Sequence, residues 1–182
     1  MKTAERNTRS IRVLFDEEKI AARVSELSHE IARAELTDLL IIPILKGSFV
    51  FAADLLRARH RAELELEVDF LSLSSYRAGM VSSGQVNIVR DVETDVDGRS
   101  VVLIDDILES GRTLAFAKDL MAARGALSVN TCVLLNKPGK RATDIEADFV
   151  GFECPDLFVV GYGMDMAHSF RELPYVGVVE DT

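Results

Sequence analysis

The sequence predicts an α/β fold: a largely parallel twisted sheet flanked by helices, with a small β-rich hood. Three observations carry this. The run LLIIPIL (39–45) is apolar throughout and is followed by the glycine of LKGS and the helical stretch SFVFAADLLRAR, which is the first half of a βαβ unit. The run VVLID (101–105) passes through a turn of small residues into helical sequence, about 111–124, and VNTCVLLN (129–136) follows as another strand; that completes a βαβ unit, whose strands run parallel. The pieces DFVGFEC, LFVVGYG and YVGVVE near the end are short and β-rich, which suits a hood or sheet extension better than another helix pair.

The remaining elements follow in order. The first ten residues, MKTAERNTRS, are polar and basic and read as a frayed tail. Asp16 then precedes EEKIAARVSELSHEIARAEL, where Ile20, Val24, Leu27 and Ile31 share one helical face and glutamates enrich the first turn. ELELEVDFLSL (63–73) alternates at its start, as a strand with one solvated face does. SSYRAGMVSSGQ is rich in serine and glycine and reads as a long mobile loop. VNIVRDV is strand-like, and DVDG supplies a turn before the central strand.

A chain of 182 residues supports one substantial core, so residues 1–182 are expected to form a single domain. The formal charge of −9 disfavours nucleic acid or anionic lipid as a partner. No apolar run is long enough to span a bilayer, and the N-terminus lacks the apolar segment of a signal peptide. Cys132 and Cys154 lie in apolar sequence with neither metal-knuckle nor disulfide-framework spacing, and read as small buried hydrophobes in a reducing compartment. A cytoplasmic protein is expected. His29, His60 and His168 have no spacing for a zinc site or a catalytic triad.

The segment VVLIDDILESGRT (101–113) is the most informative. Asp105 and Asp106 can accept hydrogen bonds from vicinal sugar hydroxyls, and the backbone N–H groups of Glu109 to Thr113 face an anion at the positive end of the following helix. Gly111 permits close backbone approach. The segment lacks both the lysine and spacing of a P-loop and the three glycines of a dinucleotide fingerprint. Ligands of parallel sheets bind outside the carboxyl ends of the strands, which is where LKGS, the aspartate pair and NKP all fall.

VVLIDDILESGRT resembles the 5-phosphoribosyl 1-diphosphate signature of the type I phosphoribosyltransferases. LKGSFVFAADL, SSYRAG, LLNKPGKR, DFVGFECPDLFVVGYGMD and FRELPYVGVV occur in the order found in the hypoxanthine (hypoxanthine-guanine) branch, over residues from about 12 to 180. The resemblance implies the type I phosphoribosyltransferase fold and a purine salvage enzyme that converts hypoxanthine or guanine and 5-phosphoribosyl 1-diphosphate to IMP or GMP and diphosphate. It further implies a Mg²⁺ cofactor and a homodimer or homotetramer.

Residue by residue, the resemblance implies that Leu45, Lys46 and Gly47 form a diphosphate loop with a non-proline cis peptide before the lysine. Ser75 and Tyr76 would belong to a loop that closes over the site. Asp105 and Asp106 would hold the ribose hydroxyls, directly or through Mg²⁺, and Ser110, Gly111, Arg112 and Thr113 would wrap the 5-phosphate. Lys137 would donate to the 6-oxygen of the purine, Phe158 would stack on the base, and the Val159 backbone would bond its edge. Asp165 would bind metal or diphosphate-linked water, and Arg171 the diphosphate.

The chain departs from the usual pattern at two positions. Glu109 stands where a catalytic aspartate near purine N7 is usual, and Asp105 where glutamate is common. Glu109 remains the implied general acid/base, reaching further by one methylene. A regulator that binds the same sugar diphosphate but acts on nucleic acid would need a basic face or an added domain, and neither is evident in this acidic chain. Among enzymes, a xanthine-preferring or uracil-using relative is the nearer rival, and the hood motif argues mainly against uracil.

Overall fold

The computed structural model describes residues 10–60, 66–75 and 86–180, apart from the side chains of His60 and Ser75. Helix α1 (Glu17–Arg33) starts where Asp16 accepts a hydrogen bond from the Lys19 N–H at 2.9 Å, and it buries Ile20, Val24, Leu27 and Ile31 as their spacing requires. Strand β2 (Leu40–Leu45) leads into α2 (Phe49–His60), and β6 (Ser100–Leu108) leads into α3 (Arg112–Ala123) and then β7 (Ser128–Asn136).

The main sheet has the order β5-β4-β2-β6-β7-β8, where β4 is Leu71–Ser75, β5 is Val86–Arg90 and β8 is Phe149–Glu153; β3 (Glu67–Val68) pairs with the start of β2. All of these pairings are parallel except β4 with β5. Alternation along β2 divides the core. Ile41 packs with α1 and α2, whereas Leu40, Ile42 and Ile44 join Leu114, Ala117 and Met121 of α3. This two-sided burial is why LLIIPIL shows no polar alternation.

Several boundaries differ from the sequence reading. The strand expected over 63–73 is broken between β3 and β4, and residues 63–65 lie outside the described part. Asp69 causes the break: its N–H donates to the Ile41 carbonyl, while its carboxylate accepts from the N–H groups of Phe70, Glu93 and Thr94. Ser74 and Ser75 belong to β4 rather than to the long loop, whose residues 76–85, Tyr76 included, lie outside the described part. Ser10, assigned to the tail, opens strand β1 (Ser10–Phe15).

DFVGFEC extends the main sheet as β8 beside β7. Its Val150 and Gly151 carbonyls accept hydrogen bonds from Arg23 of α1 at 2.8 and 3.0 Å, which ties that edge to the helix layer. The hood is a separate antiparallel sheet of order β1-β10-β9, with β9 at Val159–Val160 and β10 at Val176–Glu180. Among the described residues no helix is long and apolar enough to cross a membrane. Cys132 and Cys154 are free and buried, and burial pushes both thiols up, as expected of inert core cysteines.

Candidate active site

The strand order reverses between β2 and β6, so their carboxyl ends open a crevice between them. A cavity of about 460 Å³ lies there. Leu45, Lys46 and Gly47 line it from the end of β2, Asp105 and Asp106 from β6, Glu109, Ser110, Gly111 and Thr113 from the turn into α3, and Asp165 from the hood side.

The β2 side is built by close packing. The Leu45–Lys46 peptide is cis. Ser48, wholly buried, donates its hydroxyl to the Ile44 carbonyl at 2.5 Å, and the Phe49 N–H donates to the Lys46 carbonyl. A Cβ on Gly47 would collide with the Asp106 carboxylate, and one on Gly163 with the Gly47 carbonyl. Backbone from β2, carboxylate from β6 and backbone from the hood therefore touch with no side chain between them.

On β6, the Asp106 N–H donates to Asp105 Oδ1 at 3.0 Å and the Ile107 N–H to Asp106 Oδ1 at 2.8 Å. Burial above all, and then the neighbouring charge, pushes the Asp105 carboxyl well above the ordinary range. Burial raises Asp106 as well, against the pull of its hydrogen bonds and of Arg171. Among the described residues no lysine or arginine nitrogen lies within 4.0 Å of either carboxylate.

The turn into α3 is ordered from outside the cleft. Gly111 has φ +79°, and a Cβ there would lie 2.5 Å from Thr143 Oγ1 and 2.6 Å from Ile145 Cγ2. The Ser110 carbonyl accepts from the Ala142 N–H and the Thr143 hydroxyl, at 2.9 and 3.3 Å. Gly111 offers α3 no side-chain cap, and only the Arg112 N–H reaches a side chain, Ser110 Oγ at 3.5 Å, so the N–H groups that follow remain available to an anion.

Glu109 links the cavity to Lys137 and, through it, to the hood. Lys137 is buried, and its ammonium donates to the Leu157 carbonyl at 2.6 Å and stands 3.9 Å from Glu109 Oε1. Phe158 is 58% exposed, an open aromatic face, while Val159 is buried in β9. Arg171 pairs with Asp165 at 2.7 Å and donates to the Gly163 carbonyl at 2.6 Å. The site thus combines an anion-ready helix start, a carboxylate pair, a general acid/base candidate, a buried ammonium and an aromatic face.

A family model, the phosphoribosyl transferase domain, matches residues 10–167. The chain belongs to the phosphoribosyltransferase family. It is 46% identical over 171 residues to the hypoxanthine-guanine phosphoribosyltransferase of Bacillus subtilis, covering 93% of each chain. It is 42% identical over 173 residues to the hypoxanthine phosphoribosyltransferase of Buchnera aphidicola, covering 93% of this chain and 96% of that one. The crystal structure of a hypoxanthine phosphoribosyltransferase from Staphylococcus aureus superimposes with a TM-score of 0.87 at 37% identity, over 99% of this chain and 96% of that chain.

In this phosphoribosyltransferase most residues singled out from the sequence meet around one cleft. Arg112, Lys137, Phe158, Val159 and Arg171 do not line the cavity, and Arg112 is exposed on the first turn of α3. Ser75 ends β4, its side chain outside the described part, as is Tyr76 altogether. Among the described residues no three His, Cys, Asp or Glu side chains form a metal cluster, and Asp165 is engaged by Arg171.

The sequence reading missed Arg141. Its Nη1 donates to the Leu108 and Glu109 carbonyls, both at 2.8 Å, and its Nη2 to Asn136 Oδ1 at 2.6 Å. Asn136 in turn donates to Glu153 of β8 at 2.9 Å. Lys140 was also missed; it bridges Asp156 at 2.6 Å and approaches Glu109 at 3.8 Å. The available signal was the cluster of basic residues in NKPGKR immediately after a buried strand, more cations than one ligand contact needs.

Proposed function

We propose that this phosphoribosyltransferase is a purine salvage enzyme that joins the 5-phosphoribosyl group of 5-phosphoribosyl 1-diphosphate to N9 of hypoxanthine or guanine, releasing diphosphate. One observation carries the choice of base. Lys137 is a buried ammonium bonded to the carbonyl of Leu157, the residue before the exposed Phe158, and an ammonium donates but never accepts. A 6-oxo group fits that donor, and the 6-amino group of adenine does not. The names of the relatives agree.

In this reading the 5-phosphate sits on the N–H groups at the start of α3, wrapped by Ser110, Gly111, Arg112 and Thr113. Asp105 and Asp106 accept from the ribose hydroxyls. Leu45, Lys46 and Gly47 line the diphosphate side, where Arg171 supplies a forked cation. Ser75 and Tyr76 belong to the segment that shields the reacting centre from water. As the bond from ribose C1 to the diphosphate oxygen breaks, the bond to N9 forms; Glu109 takes the proton that the base gives up at N7, and the electron pair leaves with diphosphate. Phe158 stacks on the purine and the Val159 backbone bonds its edge.

Mg²⁺ is the proposed cofactor. Two adjacent carboxylates, Asp105 buried and Asp106 half-buried, with raised proton affinity and no lysine or arginine nitrogen of the described residues within 4.0 Å, are the donor set a hard divalent ion relieves. Asp105 and Asp106 would hold it, with Asp165 on the diphosphate side, and it would neutralise charge on the leaving diphosphate. We place the protein in the cytoplasm, as one domain assembled into a homodimer or homotetramer.

Purified protein incubated with 5-phosphoribosyl 1-diphosphate, Mg²⁺ and one base at a time tests the reading by chromatography of the nucleotides. IMP or GMP without AMP is expected. No nucleotide from any base would overturn it.

A further inference from the structure

Glu109 is reached by two lysines from the segment that follows β7. Lys137 Nζ stands 3.9 Å and Lys140 Nζ 3.8 Å from the same oxygen, Oε1. Neither distance is that of a direct hydrogen bond, so the carboxylate lies between two positive fields without being clamped. Lys140 is also shared. Its nearer partner is Asp156 at 2.6 Å, two positions before Phe158, and the intervening Leu157 carbonyl accepts from Lys137. Both lysines thus connect Glu109 to the same short stretch of the hood, 156–157.

The sharing matters because this chain has glutamate at 109. A glutamate has one more rotatable bond than an aspartate and loses more side-chain entropy when held in one geometry. With 41% of its side chain exposed, Glu109 has room to swing, and among the described residues only the two ammonium groups draw it toward the hood. The other titratable groups facing it are the Cys154 thiol and, through Lys140, Asp156. Arg141 bonds only its backbone carbonyl.

We propose that Lys140 is a positioning residue for Glu109, and that Asp156, by competing for the same ammonium, sets how firmly Lys140 holds it. Seating of the base beside Phe158 then bears on the orientation of the carboxylate through the Asp156–Lys140 bridge. The proposal rests on Glu109 acting as the general acid/base.

The two charges have opposite signs, so their removal has opposite consequences. In Lys140→Met, a cation near Glu109 is lost, and the acid limb of the kcat/KM profile moves to higher pH, by a small amount because solvent screens both groups. In Asp156→Asn, Lys140 is released toward Glu109, and the limb moves to lower pH. A role confined to folding moves both variants the same way. Lys140→Met should also lower kcat about 10-fold with little change in KM for the base, and Lys140→Arg should restore it. In a Glu109→Gln background, Lys140→Met should have no further effect on kcat.

The experiment is the pH dependence of kcat and kcat/KM for IMP formation in these variants and the double variant, with melting temperature as a control for folding. Opposite shifts, and loss of the Lys140 effect in the Glu109→Gln background, are the expected results. Shifts of one sign, no shift, or an undiminished Lys140 effect in the double variant overturn the proposal and leave Glu109 in its role. Full kcat in Glu109→Gln alone instead removes the reading of Glu109 on which the proposal stands.

Discussion

The Asp106 carboxylate occupies the space that a Cβ on Gly47 would need. The Leu45–Gly47 turn and the carboxylate pair are therefore in direct contact, with no room for a side chain between them. Gly47→Ala should displace either the loop or Asp106, and a misplacement of about 1 Å at a reacting centre costs on the order of 10²-fold in rate. Steady-state kinetics should show kcat/KM falling by about that factor while the far-ultraviolet circular dichroism is unchanged. Unimpaired kinetics would mean that the contact is slack.

The aspartate pair sets a pH dependence whose sign is fixed. Asp105 has a folded-state pKa well above 3.8, so its protonated form is favoured by folding and its contribution to stability is lost as pH rises through the raised value. Asp105→Asn, neutral throughout, should therefore melt above the wild type at neutral pH without Mg²⁺, with the gap closing as pH falls toward 3.8. Thermal melts of both proteins across that range test this. Affinity for Mg²⁺ should rise with pH over the same interval in the wild type, because the ion requires the deprotonated pair.

Glu109→Gln removes the proposed proton acceptor but preserves length and shape. General acid/base groups contribute about 10² to 10⁴ in rate, so kcat should fall within that range with KM for the base nearly unchanged. An unaltered kcat would take Glu109 out of the chemistry.

Lys137→Met should reduce kcat/KM for hypoxanthine by about 10²-fold, the scale of a lost hydrogen bond from a charged donor, and it should narrow the preference over adenine. Competition assays with both bases measure the ratio. Retention of the full preference would assign recognition of the 6-position to another group.

Arg59 is a stability prediction outside the cleft. It is 3% exposed at the end of α2; among the described residues its Nη1 reaches only the Ser28 carbonyl at 3.3 Å, its buried Nε has no partner, and no carboxylate lies within 4.0 Å. A buried cation without a counter-charge is destabilising, and burial accordingly pushes its pKa down. Arg59→Met, similar in length and apolar, should raise unfolding free energy by about 1 to 3 kcal/mol in urea titrations. A lower midpoint would count against this account.

How much of this was legible in the sequence depended on whether a signal was local. The periodicity of Ile20, Val24, Leu27 and Ile31 and the apolar runs of β2, β6 and β7 reported their burial directly, because helix and strand periods are properties of adjacent residues. Gly111 announced its turn for the same reason. Strand β1 was invisible because SIRVLF gains its place only by pairing with β10, at the other end of the chain. Asp69 looked like any strand residue, since the three N–H groups that its carboxylate collects come partly from residues 93 and 94. The cleft residues lay in recognisable motifs, whereas Arg141 makes its contacts to backbone carbonyls, which no sequence displays.

The Leu108 carbonyl accepts from the Lys137 N–H at 2.9 Å and from Arg141 at 2.8 Å. The turn that leads to α3 and Lys137 are thus pinned to one oxygen atom, and the span between them works as a fixed gauge. Substitutions at 137 can change what chemistry is read at the far end of that span but not its length. With Lys137 in its proposed role, a shorter, single-ring base would therefore require a longer reach from the hood, because Lys137 and the turn share that one anchor.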